Sequence, residues 1–398
     1  MCKVKLLILL VPALCSSYFE RAEAHSKRLT SEATSKFTIE LLKVLVKEQP
    51  GNCIISPLSI YTTLAMLQQG ARSNSRAELN RVLHADYSQT KRQYRDIISS
   101  IKNMQDGKLE FANKMHIKSD VSVYPDYQRT LTDYFHSDIE SIDFSKAAEV
   151  TEKINSWVAE KTHDRIKDII SEEHIRSDAH MLLINAMYFK SPWAEEFPLN
   201  STSDEVFSPS PGVEVKVPTM SHSRKLLAGR SRKLGLKWVM LPFQGNRFSM
   251  VLMLPTERHA LTSVMKKIPS KVFKYIFKHT RTMDVDLRLP KFKLNSGLHV
   301  IRFLQKLGVR DIFKKDVANL KGICPSPLHV SDIIHKSEIE IDEKGTTASA
   351  ATIGIGTFSS LPEEYKTLEF HANHPFAAFV CDRDMPLFSG AVFNPSTA

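Results

Sequence analysis

Fifteen histidines are the side chains of this 398-residue chain that could most readily do catalytic chemistry. They are scattered, and no His-Glu-x-x-His pair indicates a catalytic zinc site. The chain also lacks the Gly-x-Ser-x-Gly motif of serine hydrolases and a glycine-rich loop that would cradle phosphates. We therefore expect no catalytic residue, no metal and no cofactor, and the chain is not predicted to be an enzyme.

His335 is the most interesting histidine because it lies in an isoleucine-rich, strand-like run. A buried imidazole in such a run needs polar partners. Catalysis and a structural hydrogen bond both remain open, and the structural interpretation is favoured.

The small residues after Gly345 indicate a conformational change of the chain rather than covalent catalysis. If this segment became a strand, alternate side chains would face opposite sides of a sheet. One side would carry only small, uncharged groups, namely Thr346, Ala348, Ala350, Thr352, Gly354 and Gly356. Nothing on that side opposes burial between two existing strands. A flexible loop is the simpler interpretation, but the pattern favours a loop that can become a strand.

Basic residues form three clusters that could bind a polyanion. The first cluster has helical spacing and consists of Lys266, Lys267, Lys271, Lys274, Lys278 and Arg281. Pro269 is expected to leave Lys267 ahead of the helix. The other two clusters are Arg224, Lys225, Arg230, Arg232 and Lys233, and then Lys91, Arg92 and Arg95. A solvated surface is the simpler explanation for each cluster, and without a recognised binding module we expect no nucleic-acid partner.

The first 24 residues have the form of a secretory signal. Lys3 and Lys5 precede an apolar run at 6–14 that is too short to span a bilayer. Cleavage is expected after Ala24, or alternatively after Ser17. The mature chain, residues 25–398, is then predicted to be secreted and extracellular, with no membrane partner.

Three further features of the mature chain are interpreted on the expectation that it is secreted. Removing residues 1–24, which carry three basic and two acidic side chains, lowers the formal net charge by one, from +10 to +9, and favours binding to sulfated glycosaminoglycans such as heparin. The sequence Asn200-Ser201-Thr202 is a glycosylation sequon, so the protein is expected to be a glycoprotein. Three cysteines remain, and their number and spacing suit neither a metal site nor a disulfide framework. Cys324, in a loop-like segment, is expected to be exposed.

Helical and strand patterns are mixed along the chain without a strict βαβ order. Helical patterns cover 31–48, 57–70, 125–136, 150–170, 261–279 and 297–307. Strand patterns cover 181–190, 237–243, 248–255, 285–294, 338–342 and 375–382. The mixture predicts an α+β fold with mainly antiparallel sheets.

Several sequence blocks, in order along the mature chain, resemble the serpin family of serine protease inhibitors. They lie at 52–59, 154–158, 161–162, 183–190 with Trp193, 289–293, 306–309, 335–336, 342–346, 373–376, 387–390 and 394–395. The resemblance implies a single-domain serpin fold of three β-sheets and about nine helices. It also implies an exposed reactive-centre loop at about 343–366 and a monomer.

The resemblance also assigns roles to individual residues. Ser56, Asn185 and His335 match the polar shutter beneath the centre of the main sheet, and Trp193 matches the breach at its end. The loop hinge matches Glu343, Gly345, Thr346, Ala348, Ala350 and Thr352.

An inhibitory serpin acts as a suicide substrate, because the cleaved loop inserts into the sheet while the protease is still attached as an acyl-enzyme. The family spacing puts the reactive bond between Ser359 and Ser360, which suits an elastase-like extracellular serine protease. A register one residue shorter, between Phe358 and Ser359, suits a chymotrypsin-like one. The alternative function is that of a non-inhibitory serpin acting as a carrier or chaperone.

Overall fold

The computed structural model describes residues 31–102, 108–346 and 367–396. Within these ranges there are nine α-helices: α1 (31–48), α2 (Pro57–Gly70), α3 (Ser73–Leu83), α4 (Tyr87–Lys102), α5 (Pro125–Thr130), α6 (Ala147–Lys161), α7 (Leu261–Lys267), α8 (Val272–His279) and α9 (Ile301–Leu307). The strands are β1 (Cys53–Ile55), β2 (Lys108–Lys118), β3 (Asp138–Ile142), β4 (Met181–Lys190), β5 (Thr202–Ser210), β6 (Val213–Ser231), β7 (Leu236–Pro242), β8 (Phe248–Pro255), β9 (Arg281–Pro290), β10 (Phe292–His299), β11 (Asp332–Ile341), β12 (Leu368–His371), β13 (Phe376–Asp382) and β14 (Met385–Val392).

A five-stranded sheet in the order β10-β11-β4-β2-β3 lies between two helices. The side chains of β4 alternate between the two faces of the sheet. Both faces are covered, so β4 is buried along almost its whole length. Leu182 and Ile184 pack with Ile154 of α6, whereas Leu183 belongs to the core that includes Leu58 of α2. Strands β4 and β11 are parallel to each other at the centre of this sheet.

The second sheet has nine strands in the order β1-β14-β13-β8-β7-β6-β9-β12, with β5 also paired to β6. The α+β architecture is confirmed, but the described residues form two hydrogen-bonded sheets where three were expected. The physical reason is the length of β6, whose 19 residues pair first with β5, then with β9 and finally with β7. One continuous strand therefore joins what would otherwise be two smaller sheets.

Three predicted elements end or divide at places that the hydrophobic pattern does not reveal. The predicted strand 285–294 is two strands, β9 and β10, which belong to different sheets and meet at Lys291. The helix predicted over 150–170 ends at Lys161, where the Thr162 hydroxyl donates to the Val158 carbonyl at 2.8 Å and His163 adopts a left-handed backbone.

Pro269 divides the helix that was predicted over 261–279. The residue before a proline is driven out of the helical region, and Ile268 is extended, with φ −60° and ψ 132°. Lys267 is therefore the last residue of α7, and the expectation that it would precede a helix without belonging to one is wrong.

The predicted strands 181–190 and 248–255 match β4 and β8 at both ends. Cys324, expected to be exposed, is buried, and its thiol donates to the Ser326 carbonyl at 3.3 Å. Among the described residues, no helix is long and apolar enough to cross a membrane, and no group of three or more metal-ligating side chains is found.

Candidate functional site

The parallel pairing of β4 and β11 stops before either strand ends. Seven residue pairs join them, from Leu182 with Asp332 to Tyr188 with Glu338. Beyond that point β4 still pairs with β2, and β11 still pairs with β10, but among the described residues β4 and β11 no longer pair with each other. A small cleft lies at this divergence, and Thr346 is one of its lining residues.

Gly345 turns the chain back toward this cleft at the end of β11. Its φ is +127°, a value that side chains disfavour. A Cβ atom here would lie 2.6 Å from the Ser191 carbonyl oxygen and 2.7 Å from the backbone nitrogen of Trp193. Only glycine fits this turn, which the Asp342 carboxylate closes by accepting from the amides of Lys344, at 2.8 Å, and Gly345, at 3.1 Å.

Thr346 is already fixed at the mouth of the cleft and is buried. Its amide donates to the Ser191 carbonyl at 2.9 Å, and its hydroxyl accepts from the Ser191 amide at 2.6 Å. Ser191 directly follows β4, so the first residue after the glycine is attached to the strand across the opening.

Trp193 holds the other side of the turn. Its indole N–H donates to the Asp342 carbonyl at 3.0 Å, and its amide donates to the Lys344 carbonyl at 2.9 Å. The indole ring stacks on Phe243 with a centroid distance of 4.5 Å and an interplanar angle of 9°. The turn therefore rests on an aromatic side chain of the hydrophobic core.

Glu343 is a buried carboxylate within this turn. Lys291 lies 3.0 Å from one carboxylate oxygen, and the hydroxyl of Thr202 donates to the other at 2.9 Å. Burial alone would raise the pKa of the Glu343 carboxyl, but hydrogen bonds from its own backbone amide, Lys291 and Thr202 hold the pKa below its usual value. The carboxylate is therefore charged, and it ties the turn to β5 and to the β9–β10 junction.

His335 and Asn185 face each other across the paired part of β11 and β4. They are register partners, and the imidazole Nδ1 lies 2.5 Å from the amide oxygen of Asn185. A third strand could pass between β4 and β11 only if this contact broke.

Helix α2 holds both partners from below. The Ser56 amide donates to Nε2 of His335 at 2.9 Å, while the side-chain amide of Asn185 donates to the Ser59 carbonyl at 2.7 Å and to the Thr63 hydroxyl at 2.9 Å. Ser56 also caps α2, since its hydroxyl accepts from the Ser59 amide.

The protonation state of His335 follows from these bonds. Because Nε2 accepts from an amide, the single proton lies on Nδ1 and is donated to Asn185. Burial lowers the pKa of His335 to about 3, which keeps the ring neutral. A second proton would put a donor at Nε2 directly opposite the Ser56 N–H.

Sequence analysis did not identify several polar partners of these residues. They are Ser59, Thr63, Asn113, Ser191, Thr202, Lys291 and Ser337. Most lie more than 100 positions from the residues that they contact, so no local pattern could have identified them. Two of them also contact a residue that is near in sequence: Ser59 lies three residues after Ser56 at the start of a predicted helix, and Ser337 lies two residues after His335.

Other predicted residues lie away from this site or outside the described part of the chain. Asn200 is exposed in a short turn next to Thr202. Residues 1–24 and the loop residues Ala348, Ala350, Thr352, Phe358, Ser359 and Ser360 fall outside the described ranges.

The structure separates the first basic cluster into two groups. Lys266 and Lys267 end α7, whereas Lys274 and Lys278 lie exposed on α8 and Arg281 begins β9. Lys271 precedes α8 and lies 3.3 Å from the carboxylate of Glu32, so part of its charge is neutralised.

We expect Gly345→Ala to lower the free energy of unfolding by about 2 kcal/mol, since the methyl group meets backbone atoms at a positive φ. Gly297→Ala is the matched control, because a Cβ there meets nothing within 4 Å and no positive φ is present. Urea unfolding of both variants checks this expectation. Equal midpoints would show that the turn tolerates a side chain.

We expect His335→Gln to make stability less dependent on pH. The pKa of His335 is lowered to about 3 in the folded protein. The contribution of the neutral ring to the free energy of unfolding is therefore fully present above about pH 6.5, and it is lost as the pH falls toward 3. Within that window each pH unit costs up to about 1.4 kcal/mol, and the variant should lose this component.

Urea midpoints measured at pH 7.5 and pH 5.5 provide the comparison, with the exposed His163→Gln variant as control. An unchanged pH dependence in His335→Gln would contradict the assignment of a neutral His335 to the folded state.

Comparison with known proteins identifies the family to which this fold belongs. A model of the family described as "Serpin (serine protease inhibitor)" matches residues 32–395. The chain is 32% identical over 381 residues to the leukocyte elastase inhibitor A of Mus musculus, covering 92% of this chain and 99% of that protein. It is 29% identical over 377 residues to antichymotrypsin-2 of Bombyx mori, covering 94% of this chain and all of that protein.

Two solved structures also match this chain over almost its whole length. Serpin48 of Tenebrio molitor is 29% identical with a TM-score of 0.82, covering 92% of this chain and 98% of that one. Native protease nexin-1, solved with heparin, is 26% identical with a TM-score of 0.82, covering 93% of this chain and all of that one. With a family model that spans almost the entire described chain, the protein belongs to the serpin family of serine protease inhibitors.

Proposed function

We propose that this serpin is a secreted suicide-substrate inhibitor of a chymotrypsin-like or elastase-like serine protease. The observation that carries the proposal is the divergence of β4 and β11 at the end of the sheet where Thr346 is already bound. The loop that follows Thr346 enters at this opening and becomes the new central strand.

The exchange of strand pairings favours insertion. The loop turns back from β11 at Gly345, so the new strand runs antiparallel to both β4 and β11. One parallel ladder of seven pairs is replaced by two antiparallel ladders, which are slightly more stable per residue. At about 1 kcal/mol for each net hydrogen bond, the added bonds contribute on the order of 10 kcal/mol.

The covalent step is supplied by the protease. Its serine oxygen adds to the carbonyl carbon of the residue before the cut, the peptide C–N bond breaks, and the new amino terminus takes a proton from the protease histidine. Insertion of the 14 residues from Thr346 to Ser359, at about 3.3 Å each, then carries the attached protease roughly 46 Å. In this family the distorted protease no longer hydrolyses the ester.

Two relatives support the two candidate reactive bonds. A cut between Ser359 and Ser360 suits an elastase, as named for the mouse relative, and a cut between Phe358 and Ser359 suits a chymotrypsin, as named for the Bombyx mori relative. No Arg or Lys lies between Lys344 and Lys366, which argues against trypsin-like targets.

Incubation of the full chain with chymotrypsin or with elastase should give a complex that survives a denaturing gel. Ala350→Asp should abolish the complex and leave plain cleavage, because residue 350 is on the inward face and burial of a carboxylate there costs several kcal/mol. Ala351→Asp is the matched control, since its side chain lies on the opposite face and the complex should persist. The mass of the released C-terminal fragment identifies the bond.

Loop cleavage of the unaltered chain without a complex would refute inhibition and support a carrier or chaperone function. Equal loss of complex in both aspartate variants would refute the assignment of faces, although it would leave inhibition itself intact.

Secretion is proposed because the family model begins only at residue 32, after the segment with the form of a signal. Expression of the full chain in a secretory eukaryotic host should release a protein that begins at His25, or at Tyr18 for the alternative cleavage. Asn200→Gln should lower its apparent mass by removing a glycan. N-terminal sequencing of the released protein identifies the cleavage site. Retention of the protein in the cell with Met1 intact would contradict secretion.

A glycosaminoglycan is proposed as a further partner, supported by the protease nexin-1 structure that contains heparin. Lys274 and Lys278 are exposed on α8, with Lys271 at its start. Replacing all three by alanine should move elution from heparin resin to lower salt, because fewer sulfate groups are neutralised. Elution at unchanged salt would exclude this surface.

A further inference from the structure

A groove of about 650 Å³ lies between the turn that joins β6 to β7 and the helix α7. The turn is firmly held, since the Ser231 hydroxyl accepts from the Leu234 amide at 3.3 Å and from the Tyr275 hydroxyl at 3.1 Å. The carbonyl of Gly235, whose φ is +63°, accepts from the Thr256 amide at 2.8 Å. The groove therefore has a preformed wall.

The floor of the groove is apolar. Leu236 and Ile268 are buried, and Leu234 and Val264 are half-buried beside them. This floor is the outer edge of a hydrophobic core cluster that includes Trp238 and is separate from the main core. A ligand that lies on it would exclude water from aliphatic side chains.

The rim of the groove is strongly basic. It brings together Lys267 from one predicted basic cluster with Arg230, Arg232 and Lys233 from another. All four side chains are exposed, and within the described residues none makes an ion pair or a side-chain hydrogen bond. Among the residues that the structure describes, Glu257 is the only acidic one that lines the groove.

A fifth cation lies at the inner end. Lys237 is half-buried, and its ammonium group donates to the Glu369 carbonyl of β12 at 2.9 Å. Burial lowers the pKa of Lys237, because water is partly removed from the charge, and the nearby Glu369 carboxylate offsets only part of this effect. An anionic group in the groove would replace that lost solvation.

We propose that this groove binds a small amphipathic organic anion, namely a carboxylate, sulfate or sulfonate carried on an apolar body. Its volume lies within the range of sites for small organic ligands. A sulfated polysaccharide would engage only the rim and leave the apolar floor in water. The site is distinct from the α8 surface, where the acidic Glu32 accompanies Lys271.

The probe for this site is 1-anilinonaphthalene-8-sulfonate, titrated into the full chain by calorimetry. One site per chain is expected. Arg232→Ala with Lys233→Ala should weaken binding about tenfold through loss of two rim charges. Val264→Asp should abolish it by placing a carboxylate on the floor. Lys274→Ala with Lys278→Ala on α8 is the matched control and should change the affinity less than twofold.

The uncharged N-phenyl-1-naphthylamine separates charge from apolar burial and should bind at least tenfold more weakly. Thermal unfolding verifies that each variant is folded. Equal sulfonate affinity in the rim variant, equal affinity for the uncharged probe, or binding of a heparin hexasaccharide at the groove without sulfonate binding would each overturn the proposal.

Discussion

The contact between His335 and Asn185 joins the two parallel strands at the centre of the five-stranded sheet. It is made between register partners, and each partner is bound separately to helix α2. Separation of the two strands would break their mutual contact, and the bonds from the start of α2 lie directly beside it. The cap of α2 by Ser56 belongs to the same network, so the start of the helix and the centre of the sheet share one set of hydrogen bonds.

The sheet is closed at this contact and open at the end where Gly345 turns the chain. Past Tyr188 and Glu338 the two strands are no longer joined, and Thr346 is bound to the residue that follows β4. The turn at Gly345 is thus fixed beside the opening. The charged Glu343 and the stacked Trp193 hold it in place, one through Lys291 and Thr202 and the other through Phe243.

Local chemistry made part of this structure predictable from sequence. Strands β4 and β8 are predominantly apolar runs, and Gly345 marks a turn because only glycine suits its backbone and its close contacts. The family resemblance brought His335, Asn185 and Ser56 together. Contacts between segments that are distant in sequence were not predictable. Only the structure therefore shows the continuity of β6, the partners of Glu343 and the proximity of Lys267 to Arg232 at one groove.

Thr202 belongs to two features that are otherwise unrelated. It completes the sequon that begins at Asn200, and its hydroxyl binds the hinge carboxylate of Glu343. If Asn200 carries the proposed glycan, a change at Thr202 to a residue without a hydroxyl would remove both the glycan and the bond to Glu343 in a single step. A change at Asn200 would remove the proposed glycan without touching Glu343, so the tolerance of these two positions to substitution should differ.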